Sequence, residues 1–130
     1  MNVLVTGASG FVGKYLVKEL SKKNYNVSCL VHKSLLGDEF SKCNLFKGDI
    51  NNKIILDAAT KNQDIAFHLI GVGNVSASSQ KDFLYYQKIN VEGTRNLLDC
   101  CLKNKVKKIV YFSSTAAMGL QKKIANELTP

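Results

Sequence analysis

The opening of the chain constrains its fold most, because a short apolar run leads into three glycines and then into a helical pattern. Residues 3–5 are apolar and predict a buried strand, and the glycines follow at once with the spacing G-x-x-G-x-x-G. Beyond them, apolar side chains recur with helical spacing at Val12, Leu16 and Leu20. This order of strand, glycine turn and helix is the context in which such glycines bind a dinucleotide.

Each glycine has a physical role in that interpretation. Gly7 permits the sharp turn after the strand, Gly10 lets backbone N–H groups approach a pyrophosphate, and Gly13 lets the helix pack close to the strand. The start of the helix then offers N–H donors and a partial positive charge to the phosphates. A glycine-rich turn that binds nothing is the alternative.

A second phosphate-binding pattern is excluded. Gly13 and Lys14 resemble the end of a nucleoside-triphosphate loop, but that loop needs an earlier glycine and a hydroxyl residue after the lysine. Those positions hold Ala8 and Tyr15, so the hydroxyl that would bind Mg²⁺ is missing.

Length and composition predict one compact domain. The chain has 130 residues, 45% of them hydrophobic, and its one proline is the last residue. This is enough for a single core and too little for two domains. No apolar stretch is long enough to span a membrane, and no signal peptide precedes the first strand, so we expect a cytoplasmic protein without a membrane partner.

The charge pattern favours solvated helix faces over a nucleic-acid surface. The net charge is +8, yet 17 of the 18 basic residues are lysines, spread over predicted helices. Nucleic-acid readers use arginine for bidentate contacts, so no nucleic-acid partner is expected, although the charge would attract an anionic dinucleotide. Four cysteines without C-x-x-C spacing and two distant histidines predict reduced thiols and no metal site.

Strand and helix patterns alternate along the chain. Strands are predicted at residues 2–6, 26–31, 44–47, 64–70 and 108–113, and helices at 11–23, 52–61 and 81–104. Such alternation predicts parallel strands with right-handed crossovers. We therefore expect an α/β fold, a Rossmann-type doubly wound parallel sheet of five strands in the order 3-2-1-4-5.

Five stretches, in order along the chain, resemble one family. Residues 6–13, 48–50, 67–71, 90–98 and 111–119 are similar to motifs of the extended short-chain dehydrogenase/reductase family, which includes NAD(P)-dependent epimerases, dehydratases and 3β-hydroxysteroid-dehydrogenase-like reductases. The resemblance covers essentially the whole chain. It implies an NAD(P)-binding, nucleotide-binding oxidoreductase that transfers hydride to or from a carbinol or ketone carbon.

The resemblance also implies which residues contact the cofactor. The phosphate loop would comprise Gly7, Ser9, Gly10, Phe11, Val12 and Gly13. Asp49, with Ile50, would accept a hydrogen bond from the adenine amino group, and the segment Leu69, Ile70 and Gly71 would lie along the cofactor. Asp49 follows a strand at the carboxyl edge of the sheet, where such folds bind ligands; its alternative role is to cap the helix that begins near Asn52.

Two further residues match catalytic positions of the family. Ser114, by its spacing to Gly119, corresponds to the hydroxyl that hydrogen-bonds a substrate oxygen. Asn90 corresponds to a residue that interrupts regular helix bonding and helps to organise the site. An ordinary turn serine and an ordinary helical asparagine are the alternatives.

The end of the second strand bears on the choice of dinucleotide. NAD-specific members have an acid there that binds the ribose 2′-hydroxyl, but this chain has Val31, His32 and Lys33, and no acid until Asp38. An acid would repel a 2′-phosphate, whereas His32 and Lys33 could hold one. We therefore expect NADP to be preferred over NAD; a simply solvated Lys33 is the alternative.

The family's catalytic pair, spaced Tyr-x-x-x-Lys, is absent, and the chain ends shortly after Ser114. We expect residues 1–130 to be the N-terminal NAD(P)-binding domain of a longer enzyme, catalytically incomplete and truncated before that helix and a substrate domain. Its substrate would be a nucleotide sugar or another carbonyl or carbinol compound. A non-catalytic dinucleotide-binding regulatory or interaction module is the alternative function.

Without the missing helix, apolar residues on helix 81–104 would be left partly bare. These are Phe83, Leu84, Leu97, Leu98 and Cys101. Exposed patches of this kind favour self-association, so a homo-oligomer built on this helix is expected.

Overall fold

The computed structural model describes residues 1–32, 37–73 and 79–114, together with residues 117, 119 and 126. The strands are β1 (Asn2–Thr6), β2 (Asn26–Val31), β3 (Asn44–Lys47), β4 (Ile65–His68) and β5 (Lys108–Tyr111). The helices are α1 (Phe11–Lys22), α2 (Lys53–Thr60), α3 (Gln80–Tyr86) and α4 (Gly93–Lys103), with a 3-10 turn at Asp38–Phe40 and a π-helix at Gln87–Glu92 between α3 and α4.

The five strands form one parallel sheet in the order β3-β2-β1-β4-β5, which confirms the predicted Rossmann-type topology. In the central register, Val5 on β1 pairs with Cys29 on β2 and with Phe67 on β4. The strands β1, β2 and β3 have the predicted bounds. β4 and β5 end earlier than predicted, because the chain leaves the sheet after one further backbone bond, from Leu69 to Thr6 and from Phe112 to His68.

Two cores lie on opposite faces of the sheet, as the pleat of buried parallel strands requires. One core lies on the α1 side and includes Val3, Val5, Val17, Val27, Cys29 and Phe40. The other lies under α2 and α4 and includes Leu4, Leu30, Leu56, Ala66, Leu97 and Cys101. Successive residues of β1 alternate between the two, so this strand is buried on both faces.

The buried face of α1 only partly coincides with the apolar spacing in the sequence. Gly13, Val17 and Leu20 are buried, whereas Val12, at the start of that spacing, is 47% exposed. The reason is the close contact of Gly13 with the glycine turn, which sets the rotation of the helix and directs residue 12 outward.

The predicted helix 81–104 is instead three segments: α3, the π-helix and α4. Phe83, Leu84 and Leu98 are exposed by 62%, 55% and 44%. Leu97 and Cys101, expected to be partly bare, are buried, because they face the core that α4 shares with α2.

Asparagine side chains join the strands at the amino edge of the sheet. Asn44 Nδ2 donates to Asn26 Oδ1 at 3.3 Å, and Asn26 Nδ2 donates to Asn2 Oδ1 at 3.1 Å. Asn2 in turn donates its backbone N–H to Asp64 Oδ2 at 2.9 Å, beside the start of β4. This asparagine ladder therefore links four neighbouring strands by side-chain bonds.

Within the described ranges, no helix has the length and apolar character needed to cross a bilayer. All four cysteines are free thiols, and the described residues contain no cluster of three metal-ligating side chains.

Candidate functional site

The glycine turn after β1 is built on two glycines that the fold itself requires. Gly7 has φ +70°, and a Cβ there would lie 2.9 Å from the backbone of Leu69 and Ile70. A Cβ on Gly13 would overlap the carbonyl groups of Gly7 and Ala8. Gly10 is different: its φ is an ordinary −74°, and an added Cβ would approach only the Gly7 carbonyl oxygen among the described atoms, at 3.1 Å. The fold alone therefore does not explain a glycine at position 10.

The start of α1 lies open at this turn. Gly10 is its N-cap residue, and in the described structure no side chain caps it and no acid occupies its first turn. By contrast, side chains cap the N-termini of the next two α-helices. Asn52 caps α2, and a capping box of Ser79 and Asp82 caps α3. The first N–H groups of α1 and the positive end of its dipole are thus available to an anion.

A cleft of about 210 Å³ runs along the carboxyl edge of the sheet from this turn. It is lined by Gly7, Ser9, Leu30, His32, Gly48, Asp49, Ile50, Ile70, Val72, Tyr85 and Ile89. Six of the predicted cofactor-binding residues are among them: Gly7, Ser9, His32, Asp49, Ile50 and Ile70. The cleft therefore joins five stretches that are separate in sequence, at the switch point where α/β sheets bind ligands.

The other predicted residues lie next to the cleft or outside the described part of the chain. Gly10, Phe11, Val12 and Gly13 form the start of α1 beside Gly7, and Leu69 and Gly71 flank Ile70. Ser114 is exposed and follows β5 at the same edge. Lys33 lies outside the described residues.

At the β2–β3 end of the cleft, His32 Nε2 lies 3.8 Å from Asp49 Oδ2. The Asn51 backbone N–H, with smaller effects of the Asn51 side chain, His32 and Lys88, holds the pKa of the Asp49 carboxyl below its usual value. Asp49 is therefore an ionised hydrogen-bond acceptor at neutral pH. It does not cap α2, because Asn52 Oδ1 accepts the N–H groups of Ile54 and Ile55.

On the opposite side, Asn90 holds the segment that follows β4. Its Oδ1 accepts the Val72 N–H at 2.8 Å, and its Nδ2 donates to the Val72 carbonyl at 3.0 Å. Asn90 lies within the π-helix, where the regular α-helical pattern is interrupted. These two bonds hold one wall of the cleft.

Five lining residues were not among the predicted cofactor-binding residues. Gly48 belongs to the predicted motif 48–50, whereas sequence reasoning missed Leu30, Val72, Tyr85 and Ile89. Tyr85 and Ile89 are four residues apart and so lie on one helix face, a spacing that could have been noticed beside Asn90. Leu30 lies on the predicted strand 26–31, and the structure places it both in the core under α2 and α4 and in the cleft lining. Val72 carries no chemical signal in the sequence, since its bonds to Asn90 are made by its backbone.

A larger cavity of about 480 Å³ lies between α1 and the 3-10 turn and shares no lining residue with the cleft. It is lined by Lys14, Tyr15, Lys18, Asp38 and Glu39. Asp38, the first acid after β2 in sequence, therefore belongs to a different surface from the cleft.

Comparisons with known proteins agree with this geometry. The family model for the NAD dependent epimerase/dehydratase family matches residues 3–130. An undecaprenol-linked N-acetylglucosamine 4-epimerase of Escherichia coli O157:H7 is 36% identical over 99% of this chain, which spans 37% of that protein.

Two solved structures extend the comparison. UDP-glucose 4-epimerase from Bifidobacterium longum, in complex with NAD⁺ and UDP, superposes with a TM-score of 0.87 at 27% identity, over 100% of this chain and 42% of its own. MoeE5 with UDP-glucuronic acid and NAD superposes at 0.83 with 32% identity, over 98% of this chain and 41% of its own. The chain spans well under half the length of these relatives. The resemblance drawn from five sequence motifs is confirmed, and the chain belongs to the NAD-dependent epimerase/dehydratase family.

Proposed function

We propose that this chain is the dinucleotide-binding part of an oxidoreductase of the epimerase, dehydratase or reductase type. One observation carries the proposal: the start of α1 is uncapped in the described structure, and Gly7 and Ser9, which come directly before its N-cap residue Gly10 in the glycine turn, line the cleft. Backbone N–H groups at a helix start bind phosphates well, and a glycine there leaves room for the pyrophosphate.

The residues around the cleft suit the parts of a nicotinamide dinucleotide. The pyrophosphate would be held by Gly7, Ser9, Gly10, Phe11, Val12 and Gly13. Ionised Asp49 offers an acceptor for the adenine amino group, next to the buried side chain of Ile50. Leu69, Ile70 and Gly71 lead along the sheet edge from the phosphates toward Ser114, and Tyr85 and Ile89 add apolar surface.

The reaction follows from the class of cofactor. A bound nicotinamide supplies a ring carbon that accepts or donates hydride at a carbinol or ketone carbon. Ser114, at the same edge, would hydrogen-bond the substrate oxygen, and Asn90 would keep the Val72 wall in place. No Tyr-x-x-x-Lys spacing occurs in the sequence, so residues outside 1–130 would supply the proton transfer to the substrate oxygen.

The substrate class we propose is a nucleotide sugar. Two structural relatives are described with UDP or UDP-glucuronic acid, and both also hold NAD. A substrate domain would supply the residues that choose the sugar, so this chain alone should bind dinucleotide without turnover.

For the dinucleotide itself, we propose that NADP binds more tightly than NAD. His32 stands exposed at the carboxyl end of β2, where an acid would select NAD, and Lys33 follows it.

Titration calorimetry with NADP⁺ and NAD⁺ on the same preparation tests both proposals. We expect binding of both, tighter for NADP⁺, and a His32→Ala variant that loses this difference while it still binds NAD⁺. Equal affinities would reject the NADP preference alone. No heat with either dinucleotide would reject the proposed function. A family-length version of the chain that binds but never turns over would support the non-catalytic module instead.

We further propose self-association through the α3–α4 segment. Its exposed apolar side chains include Phe83, Leu84, Val91, Leu98 and Leu102. Light scattering coupled to gel filtration should give a dimer mass or higher, and Leu98→Lys with Leu102→Lys should lower it. A monomer mass for the unsubstituted chain at high concentration would reject this proposal.

A further inference from the structure

The proposed function leaves one buried titratable side chain without a role. His68, the last residue of β4, is 1% exposed and has both ring nitrogens hydrogen-bonded. Nδ1 lies 2.7 Å from Thr6 Oγ1, and Nε2 lies 2.8 Å from Thr94 Oγ1. Its ring also contacts Tyr111, with centroids 5.5 Å apart. His68 thus joins β1 to α4 through β4.

The direction of these bonds can be assigned. The hydroxyl of Thr94 donates its one proton to the Asn90 carbonyl at 2.7 Å, so it can only accept from His68. Nε2 therefore carries the proton. Burial lowers the pKa of His68 to about 4, so the ring is neutral near pH 7 and Nδ1 accepts from Thr6. These bonds form one series: Thr6 donates to His68, His68 donates to Thr94, and Thr94 donates to the Asn90 carbonyl.

Each end of this series of hydrogen bonds lies next to a residue that lines the cleft. Thr6 precedes Gly7, the left-handed residue of the glycine turn. Asn90 binds the Val72 backbone through its side chain, with bonds of 2.8 and 3.0 Å, and Val72 lines the cleft. The hydrogen bonds therefore connect the phosphate-binding turn with the opposite wall, through a fully buried centre at Thr6 and His68 and a half-buried end at Thr94 and Asn90.

We propose that His68 is a positioning residue for the dinucleotide cleft. Through Thr94 it holds the π-helix at the position where Asn90 can bind Val72, and so it sets the spacing between the glycine turn and the Val72 wall. The inference rests on the proposed function for its ligand, but the placement of Val72 can be measured without one.

The test interrupts this series of hydrogen bonds at Thr94, with a substitution that leaves the side-chain shape nearly unchanged. Thr94→Val removes the hydroxyl and leaves the Nε2 proton of His68 without an acceptor. Thr60→Val is the matched control, because Thr60 is another hydrogen-bonded threonine, joined to Leu56 in α2 and to Asn104 at the end of α4 and absent from the cleft lining. The readouts are amide hydrogen exchange of Val72 without ligand, the Kd for NAD⁺, and urea unfolding.

In Thr94→Val we expect exchange at Val72 about tenfold faster and affinity for NAD⁺ about tenfold lower. Thr60→Val should lower the urea midpoint but change neither quantity, and Thr94→Ser should restore both. Equal effects of Thr94→Val and Thr60→Val on Val72 exchange would overturn the proposal. If Thr94→Val does not fold, Thr6→Val removes the hydrogen bond at the other end of the series, between Thr6 and His68. The same readouts on that variant then test the role of His68. Should the unsubstituted chain bind no dinucleotide, the proposed function fails, while Val72 exchange still decides the role of His68.

Discussion

The three glycines of the glycine turn have different roles. Gly7 and Gly13 are required by the fold, through a left-handed φ and through contact with backbone carbonyls. At Gly10 the φ of −74° is one that any residue adopts, and an added methyl group would meet one described atom, the Gly7 carbonyl oxygen, at 3.1 Å. The role that we propose for Gly10 therefore concerns the ligand, whereas Gly7 and Gly13 are needed by the backbone itself.

This difference predicts opposite phenotypes. Gly7→Ala and Gly13→Ala should each lower the unfolding free energy by roughly 1–3 kcal/mol, from backbone strain and overlap. Gly10→Ala should lower it by no more than about 1 kcal/mol, yet weaken dinucleotide binding at least about tenfold, since its methyl group occupies pyrophosphate space. Urea unfolding and calorimetry on the three variants check this. Unchanged affinity in Gly10→Ala would contradict it.

The buried histidine predicts a pH dependence of stability. The pKa of His68 is about 4 in the folded chain against 6.5 for a free imidazole. As pH falls from about 6.5 to 4, the unfolded chain gains a proton that the folded chain does not take up, so the unfolding free energy should drop by about 3 kcal/mol. Above about pH 6.5 the ring is neutral in both states and contributes no slope.

Urea unfolding at pH 7.5, 6 and 5 measures this slope, and His68→Gln should flatten it. The carboxyls with lowered pKa, such as Asp57 and Asp64, lose their contribution only at lower pH, as they take up protons below about pH 4. The same slope in His68→Gln as in the unsubstituted chain would argue against a buried neutral ring.

At the scale of elements, the start of α2 holds two neighbouring polar residues with different roles: Asn52 caps the helix, whereas we propose that Asp49 binds the dinucleotide. Asn52→Ala removes the cap and should cost about 1 kcal/mol of unfolding free energy, with dinucleotide affinity changed less than about twofold. Asp49→Ala leaves the cap in place and should instead weaken binding roughly tenfold, through loss of the charged acceptor. Denaturation and calorimetry distinguish the two. The reverse pattern would mean that Asp49 serves the helix.

The regular elements could be predicted because their causes are local. β1, β2 and β3 are apolar runs bounded by polar residues and glycines, and burial within a parallel sheet selects such runs. The interruption of helix 81–104 could not be derived from propensity, because Asn90 in the π-helix bonds Val72, and Thr94 just after the π-helix bonds His68, and both partners are distant in sequence. The same limit hid Tyr85 and Ile89, whose position in the cleft depends on how α3 meets the sheet.

At the scale of the whole molecule, the net charge of +8 predicts a salt-dependent affinity. A dinucleotide carries several negative charges, and an excess of lysines raises its local concentration. Raising NaCl from about 0.05 to about 0.5 M should weaken binding roughly three- to tenfold, more for NADP⁺ than for NAD⁺. Calorimetry at the two salt concentrations measures it. Lys105→Gln with Lys108→Gln, distant from the cleft lining, should keep most of the salt dependence, because the nearer Lys14 and Lys88 remain.

The asparagine ladder has a consequence for how such a fold can change over generations. It fixes the relative height of four strands at the amino edge, about 15–20 Å from the carboxyl edge where the cleft lies. Strand alignment is thus supported at the end of the sheet opposite to the cleft in which we propose that the dinucleotide binds. Substitutions in the loops around His32, Asp49 or Val72 can alter the ligand without disturbing strand register, so new specificities are open to selection at little risk to folding.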